Sequence, residues 1–258
     1  MHRLRELYQY RTMIASLVRK DLKGRYQGSV LGFLWTFLNP LLQLLVYTLV
    51  FSVILKSTVP HYYLHLFVAL VPWMFFSSAL TTGAKLILDQ KAMIRKIYFP
   101  RAVLPLAYTV SSLCNMLFSF VIVFAVIAVM RLGVSFAALP WLLPVIAVQF
   151  ILVLGMNLLT SALTVYLRDL EHIMGVLSMA WMYLSPVVYG MEFIPETWRR
   201  VYLLNPMAPL ILAYRDILYY RTAPDAKHLL LAAGMSLLVL CIGTAVFEKL
   251  QRRFAEVL

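Results

Sequence analysis

The residues able to do chemistry are spread unevenly along this chain. Between Lys85 and Arg101 lies a basic segment carrying Asp89, Lys91, Arg95 and Lys96, closed by Phe99-Pro100-Arg101. Leu86, Ile87, Met93, Ile94 and Ile97 separate these charges. A solvated loop would not need so many aliphatic residues. The spacing predicts a short amphipathic helix that stops near Pro100, because the residue before proline disfavours helix. Carboxylates are scarce: Asp89, Asp169 and Glu171 are the acids that a membrane-bound glycan-lipid transferase would have to use. Arg168 and Asp169 share a tight turn between Tyr166 and His172. Lys23, Arg25 and Tyr26 offer donors able to pair with phosphate, although basic residues here also follow from membrane topology alone. Tyr47, Phe51, Trp73, Phe76, Trp181 and Tyr183 present flat, uncharged faces that suit sugar rings along a passage. Aromatic residues near helix ends equally form an interfacial belt. His65 is either titratable or a plain interfacial residue. The sequence contains no G-x-x-x-x-G-K-[ST] loop for nucleotide phosphates and no H-E-x-x-H metal motif. Cys114 and Cys241 each lie within apolar sequence and read as small buried residues.

The elements that must position these groups are membrane helices. Val30–Leu55, Ser57–Ala84, Ala102–Met130, Leu132–Leu167, Ile173–Met191 and Leu229–Phe247 contain no Asp, Glu, Lys or Arg. A spanning helix needs about 20 apolar residues to cross a hydrocarbon core roughly 30 Å thick. Backbone groups find no water there, which favours helices. The chain shows no alternating ten-residue strands, which argues against a β-barrel. The expected fold is therefore an all-α membrane protein with six transmembrane helices. Its 258 residues, 62% hydrophobic, leave little room for a separate soluble domain. The net charge of +12 follows orientation rather than nucleic-acid binding. The basic residues before the first stretch, between the second and third, at Arg168, and after the sixth all fall on one side. The positive-inside rule places that side, with both termini, in the cytoplasm.

Residues 1–27 alternate apolar and basic positions at helical spacing, as an amphipathic interface helix does. That helix either anchors the chain or also braces a cytoplasmic partner. Gly24, Gly28 and Gly32 either bend the chain into the first span or allow close helix approach. Residues 28–258 form the six-helix domain, with a cytoplasmic helix at 85–100 and an external segment at 192–222. Within that segment, the uncharged run Val201–Tyr214 is too short to span. Asn205, Pro206 and Pro209 break it into a re-entrant hairpin from outside. Asn39, Ser112, Asn115, Asn157, Thr160 and other uncharged polar residues within the spans read as interhelical ties. The absence of fixed charge in the spans argues against ion-coupled transport, which usually needs ionisable groups at depth.

The run from Lys20 through Arg25, Trp35 and Pro40 to Leu41 resembles the first-helix signature of polysaccharide-exporting ABC permeases of the type-2 class. These are membrane subunits for O-antigen, capsule or teichoic acid chains. Lys96-Ile-Tyr-Phe-Pro100-Arg101 resembles their coupling helix. Arg168-Asp169-Leu170 resembles their second cytoplasmic turn, and Leu204-Asn205-Pro206-Met207 their outer re-entrant segment. The resemblance implies a homodimer in a bacterial inner or plasma membrane, bound to two separate ATPase subunits. ATP and Mg would sit in those partners, with no cofactor or metal in this chain. It further implies that Asp89, Lys91, Arg95, Lys96, Phe99, Pro100, Arg101, Arg168 and Asp169 couple to the ATPases. Lys23, Arg25 and Tyr26 would receive a lipid-linked glycan, and Asn205, Pro206 and Pro209 would gate its exit. An exporter of a drug or small lipid is the alternative within the type-2 class.

Overall fold

The computed structural model describes residues 8–24, 28–54 and 59–257. Every regular element among them is helical. Five helical stretches are long and apolar enough to cross a membrane: Gly32–Ser52, Tyr62–Lys96, Val103–Val129, Leu139–Tyr166 and Ala226–Gln251. The main helices are α1 (Arg11–Gly24), α2 (Trp35–Thr48), α3 (Tyr62–Leu80), α4 (Thr82–Asp89), α5 (Lys91–Lys96), α6 (Val103–Val129), α7 (Leu142–Tyr166), α8 (Leu170–Tyr183), α9 (Glu196–Tyr202), α10 (Met207–Arg215), α11 (Ala226–Gln251) and α12 (Phe254–Val257).

The expected fifth crossing, Ile173–Met191, differs from the other five. Helix α8 stops at Tyr183 after 14 residues. At 1.5 Å per residue it is about 21 Å long, short of the roughly 30 Å core. Pro186 has no amide hydrogen to continue the ladder. The chain turns instead, with Ser185 donating its N–H to Met182 and Val187 donating to Ser185. Long-range capture of this turn by Asn205 holds it there, as described below.

The bundle has two distinct ends. At one, Arg101 donates to the Gln251 carbonyl and Tyr166 donates to the Leu250 carbonyl at 2.9 Å. At the other, Tyr62 donates to the Val188 carbonyl at 2.7 Å and Tyr219 to the Pro60 carbonyl at 2.6 Å. Both described chain ends lie at the first of these. Helix α1 has no fully buried residue, yet Met13, Ile14 and Leu17 pack on a cluster formed by Ile87, Ile94, Phe99, Val103, Leu158 and Phe254. That cluster ties α1, α4, α5, α6, α7 and α11 together below the main core. The Ser111 hydroxyl donates to the Asp21 carboxylate and adds a polar tie between α1 and α6.

The most extensive helix pair is α7 with α11. It closes on glycine. A Cβ on Gly155 would lie 2.6 Å from Leu240 backbone atoms, and one on Gly243 would lie 2.2 Å from the Gly155 carbonyl oxygen. Small residues let two backbones meet where no water-driven hydrophobic force assembles the helices.

Candidate functional site

The charged platform forms at the end carrying the chain termini. Helix α3 breaks at Thr81, whose φ and ψ are −92° and −83°, and the chain continues as α4 and α5. Gln90 then separates the two short helices, and Ile97 returns to an extended conformation. Asp89, Lys91, Arg95 and Lys96 are exposed, whereas Phe99 is buried and Pro100 half-buried. Phe99 thus roots the segment and the cations point outward. Arg101 is committed to a structural contact, since its guanidinium binds Gln251 and lies over the Phe254 ring. Lys85 and Glu171 form a 3.1 Å ion pair that links α4 to the first turn of α8. Arg168 and Asp169 stand exposed beside that pair. Ile97 and Tyr98, 57% and 93% exposed, extend the platform with apolar surface. Sequence reasoning gave Tyr98 no role. Its signal was its place within the run Lys96-Ile-Tyr-Phe-Pro100-Arg101. Lys23 is exposed at the end of α1. Arg25 and Tyr26 lie outside the described residues.

The aromatic residues separate into two groups. Trp73 and Phe76 are buried within the bundle, and Phe76 meets Trp181 edge-on at a centroid distance of 5.1 Å. Phe51 packs near Tyr62, and the Tyr47 hydroxyl approaches the Met182 sulfur at 3.6 Å. Tyr183 is about half exposed.

Uncharged polar groups bind the spans to one another. Gln149 donates to the Pro72 carbonyl and accepts from Tyr214, both at 2.7 Å. Asn157 donates to Thr109 at 2.8 Å, while Thr160 reaches the Ala79 carbonyl at 3.2 Å. Thr36, Asn39, Ser78, Ser112, Asn115 and Ser119 converge on a cavity of about 200 Å³ between α2, α3 and α6. The Thr36 hydroxyl and the Asn115 side-chain oxygen have no protein partner among the described residues. A polar cavity of this size accommodates water, which satisfies such groups.

At the opposite end, Asn205 makes four hydrogen bonds. Its amide donates to the Leu184 carbonyl and the Ser185 hydroxyl, while its oxygen accepts from Trp181 Nε1 and the Met207 amide. Asn205 therefore joins the end of α8 to the start of α10. Pro206 caps α10, and Pro209 is buried within its first turn. Residues Met207–Ile211 are buried without exception.

Arg215 was not singled out as a site residue from sequence, where it marked only the end of an uncharged run. Its side chain is 1% exposed. The guanidinium donates to the carbonyls of His65, Tyr189 and Val187 at 3.2, 3.0 and 2.8 Å. It makes no ion pair among the described residues, so a buried cation is held by backbone dipoles. This buried charge lies between the fifth and sixth charge-free stretches, so those stretches remain without ionised side chains. Beside it, burial pushes the Asp216 carboxyl up to about 6, with His228 opposing.

Comparison with known proteins gives a consistent result. Residues 12–219 match the model for the ABC-2 type transporter family. The chain is 38% identical to the O-antigen export system permease protein RfbA of Myxococcus xanthus, over 98% of each chain. It is 31% identical to the protein of the same name from Klebsiella pneumoniae, over 95% of each. The polysialic acid transport protein KpsM of Escherichia coli is 20% identical, over 91% of this chain and 92% of its own length.

Proposed function

The chain belongs to the ABC-2 type transporter family, and from that premise we propose that it is the permease of an ATP-driven exporter of lipid-linked polysaccharide. It is a multi-pass membrane protein that works with an ATPase partner. In this reading two copies pair in a bacterial inner or plasma membrane. Each engages a separate subunit that binds ATP and Mg, and both termini are cytoplasmic. The fifth of six crossings combines α8 with the turn after it.

The observation that carries the reading is the platform around α4 and α5. Four charged side chains, Asp89, Lys91, Arg95 and Lys96, stand exposed above a buried root. Exposed Ile97 and Tyr98 lie next to them. Charge with adjacent apolar surface suits a transient docking interface. The Lys85–Glu171 pair and the Arg168-Asp169 turn give a second lever from the same surface into α8. Lys23, Arg25 and Tyr26 receive the lipid pyrophosphate, and the polymer then passes an uncharged wall. Such a wall holds a polymer weakly at many points, where a strong site would stall it. Asn205, Pro206 and Pro209 control the exit.

Two measurements test this. Polysaccharide added to the reconstituted complex should accelerate ATP hydrolysis, whereas small amphiphiles should not. The Arg95→Glu/Lys96→Glu variant should lower ATPase retention or uncouple hydrolysis from transport. Full assembly and full transport in that variant would refute the docking role.

A further inference from the structure

A second cavity opens at the end of the protomer opposite its termini. It measures about 710 Å³, and His61, Leu132, Glu192, Tyr219, Tyr220 and Arg221 contribute to its wall. That volume falls within the roughly 300–1,000 Å³ typical of small-molecule sites. Its residues come from four separate parts of the chain: the turn before α3, the turn after α6, the short Met191–Phe193 turn and the segment following α10.

Backbone strain gathers here. Among the described residues, His61, Arg131 and Arg221 are the non-glycine positions with positive φ. His61 at 47° and Arg221 at 62° both line the cavity, and Arg131 at 53° adjoins Leu132. L-residues rarely hold this conformation unless the surrounding structure imposes it, and such positions concentrate at functional sites.

The side chains are also held in place. Tyr219 and Tyr220 meet edge-on at 4.9 Å. Tyr219 is fixed from behind by the His65 ring at 5.1 Å and by its hydrogen bond to the Pro60 carbonyl. Tyr220 remains 55% exposed. The Glu192 carboxylate folds back over Gly190, where a Cβ would lie 2.1–2.2 Å from its oxygens. Gly190 therefore leaves the room that this carboxylate occupies.

An aromatic face, a carboxylate acceptor and a guanidinium donor around one cavity match a neutral hydroxylated ring. The tyrosine takes the apolar face of the ring, while Glu192 accepts from hydroxyls and Arg221 donates to them. Glu192 disfavours a polyanion. A purely apolar ligand would leave both charged groups desolvated and unpaired. We propose that this cavity is a saccharide-binding subsite on the exit side, which holds a sugar unit of the departing polymer. The assignment rests on the polysaccharide-export reading above for its substrate class.

The test uses the full-length permease in lipid nanodiscs, probed with methyl glycosides of mannose, galactose, rhamnose and N-acetylglucosamine. Saturation-transfer NMR should detect binding of at least one. The signal should fall roughly tenfold in Tyr220→Ala and in Glu192→Gln, as the loss of a stacking face or a charged acceptor implies. Tyr220→Phe should retain it. Gly190→Ala should reproduce the Glu192→Gln loss by displacing the carboxylate. A normal elution profile for each variant excludes misfolding as the cause. Binding that survives Tyr220→Ala, Glu192→Gln and Gly190→Ala overturns the proposal. So does an absence of binding to the parent protein while polysaccharide still accelerates ATP hydrolysis by the assembled exporter. If polysaccharide leaves ATP hydrolysis unchanged but variant-sensitive glycoside binding persists, the export reading fails and the subsite stands.

Discussion

Replacing Arg215 by methionine should release the loop of residues 184–190 from the bundle. The guanidinium holds the Val187 and Tyr189 carbonyls in that loop and the His65 carbonyl in α3. Two effects oppose each other. Methionine removes a cation buried without a carboxylate partner, which by itself relieves a desolvation penalty. It also leaves the two loop carbonyls without their donor, at about 1–3 kcal/mol each. The His65 carbonyl costs less because it lies in a helix. The loop carbonyls dominate, and the net loss should be about 3 kcal/mol. That corresponds to a roughly hundredfold rise in local opening. Hydrogen–deuterium exchange on the detergent-solubilised protein should show it at residues 184–190, with smaller changes in α7 and α11. Arg215→Lys should fall between the two, because an ammonium keeps the charge but loses the planar fork. Unchanged exchange across 184–190 in Arg215→Met would show that the loop is held by something other than this cation.

Three further outcomes follow from the same geometry. Gly155→Val should destabilise the protein by about 1–3 kcal/mol or more, since the obstructing Leu240 atoms are backbone and cannot rotate away; thermal unfolding followed by size-exclusion chromatography would read it, and an unchanged midpoint would contradict the close approach. Asn205→Leu should cost about 2–4 kcal/mol by breaking four hydrogen bonds at once, with increased exchange at both the end of α8 and the start of α10. The Asp216 carboxyl, raised from 3.8 to about 6 mainly by burial, binds its proton more tightly in the folded protein. Its contribution should be greatest below pH 4 and fall as the pH rises towards 6, by about 1 kcal/mol after solvent screening of a partly exposed group. Asp216→Asn should flatten that part of the stability profile.

What the sequence made legible was what each stretch specifies by itself. Exclusion of Asp, Glu, Lys and Arg over about 20 residues is a local property, and five of the six stretches so chosen became helices long enough to cross. Ile173–Met191 did not, although Ser185-Pro186 lies in plain view within it. Absence of charge cannot distinguish a helix from a turn when the turn's polar groups are met by a distant residue. Here Asn205 accepts the Trp181 donor and supplies donors to Leu184 and Ser185. The same limit hid Arg215, because a charge beside an uncharged run looks like a boundary. Only the meeting of α3, the 184–190 loop and α10 supplies the three carbonyls that make its burial tolerable. Two aromatic residues show the complementary limit. Trp73 and Phe76 have the composition of a passage wall, but one helix has several faces and theirs point into the bundle core. Gly155 and Gly243 were silent in the sequence because their role exists only as a pair. Polar ties of this kind carry the outer architecture: Asn205, Tyr214 and Arg215 join α10 to α8, α7 and α3, respectively. Breaking three such anchors would cost several kcal/mol. Displacing α10 together with the helices it grips leaves those anchors intact, so movement at this end is easier as one body than as a flap.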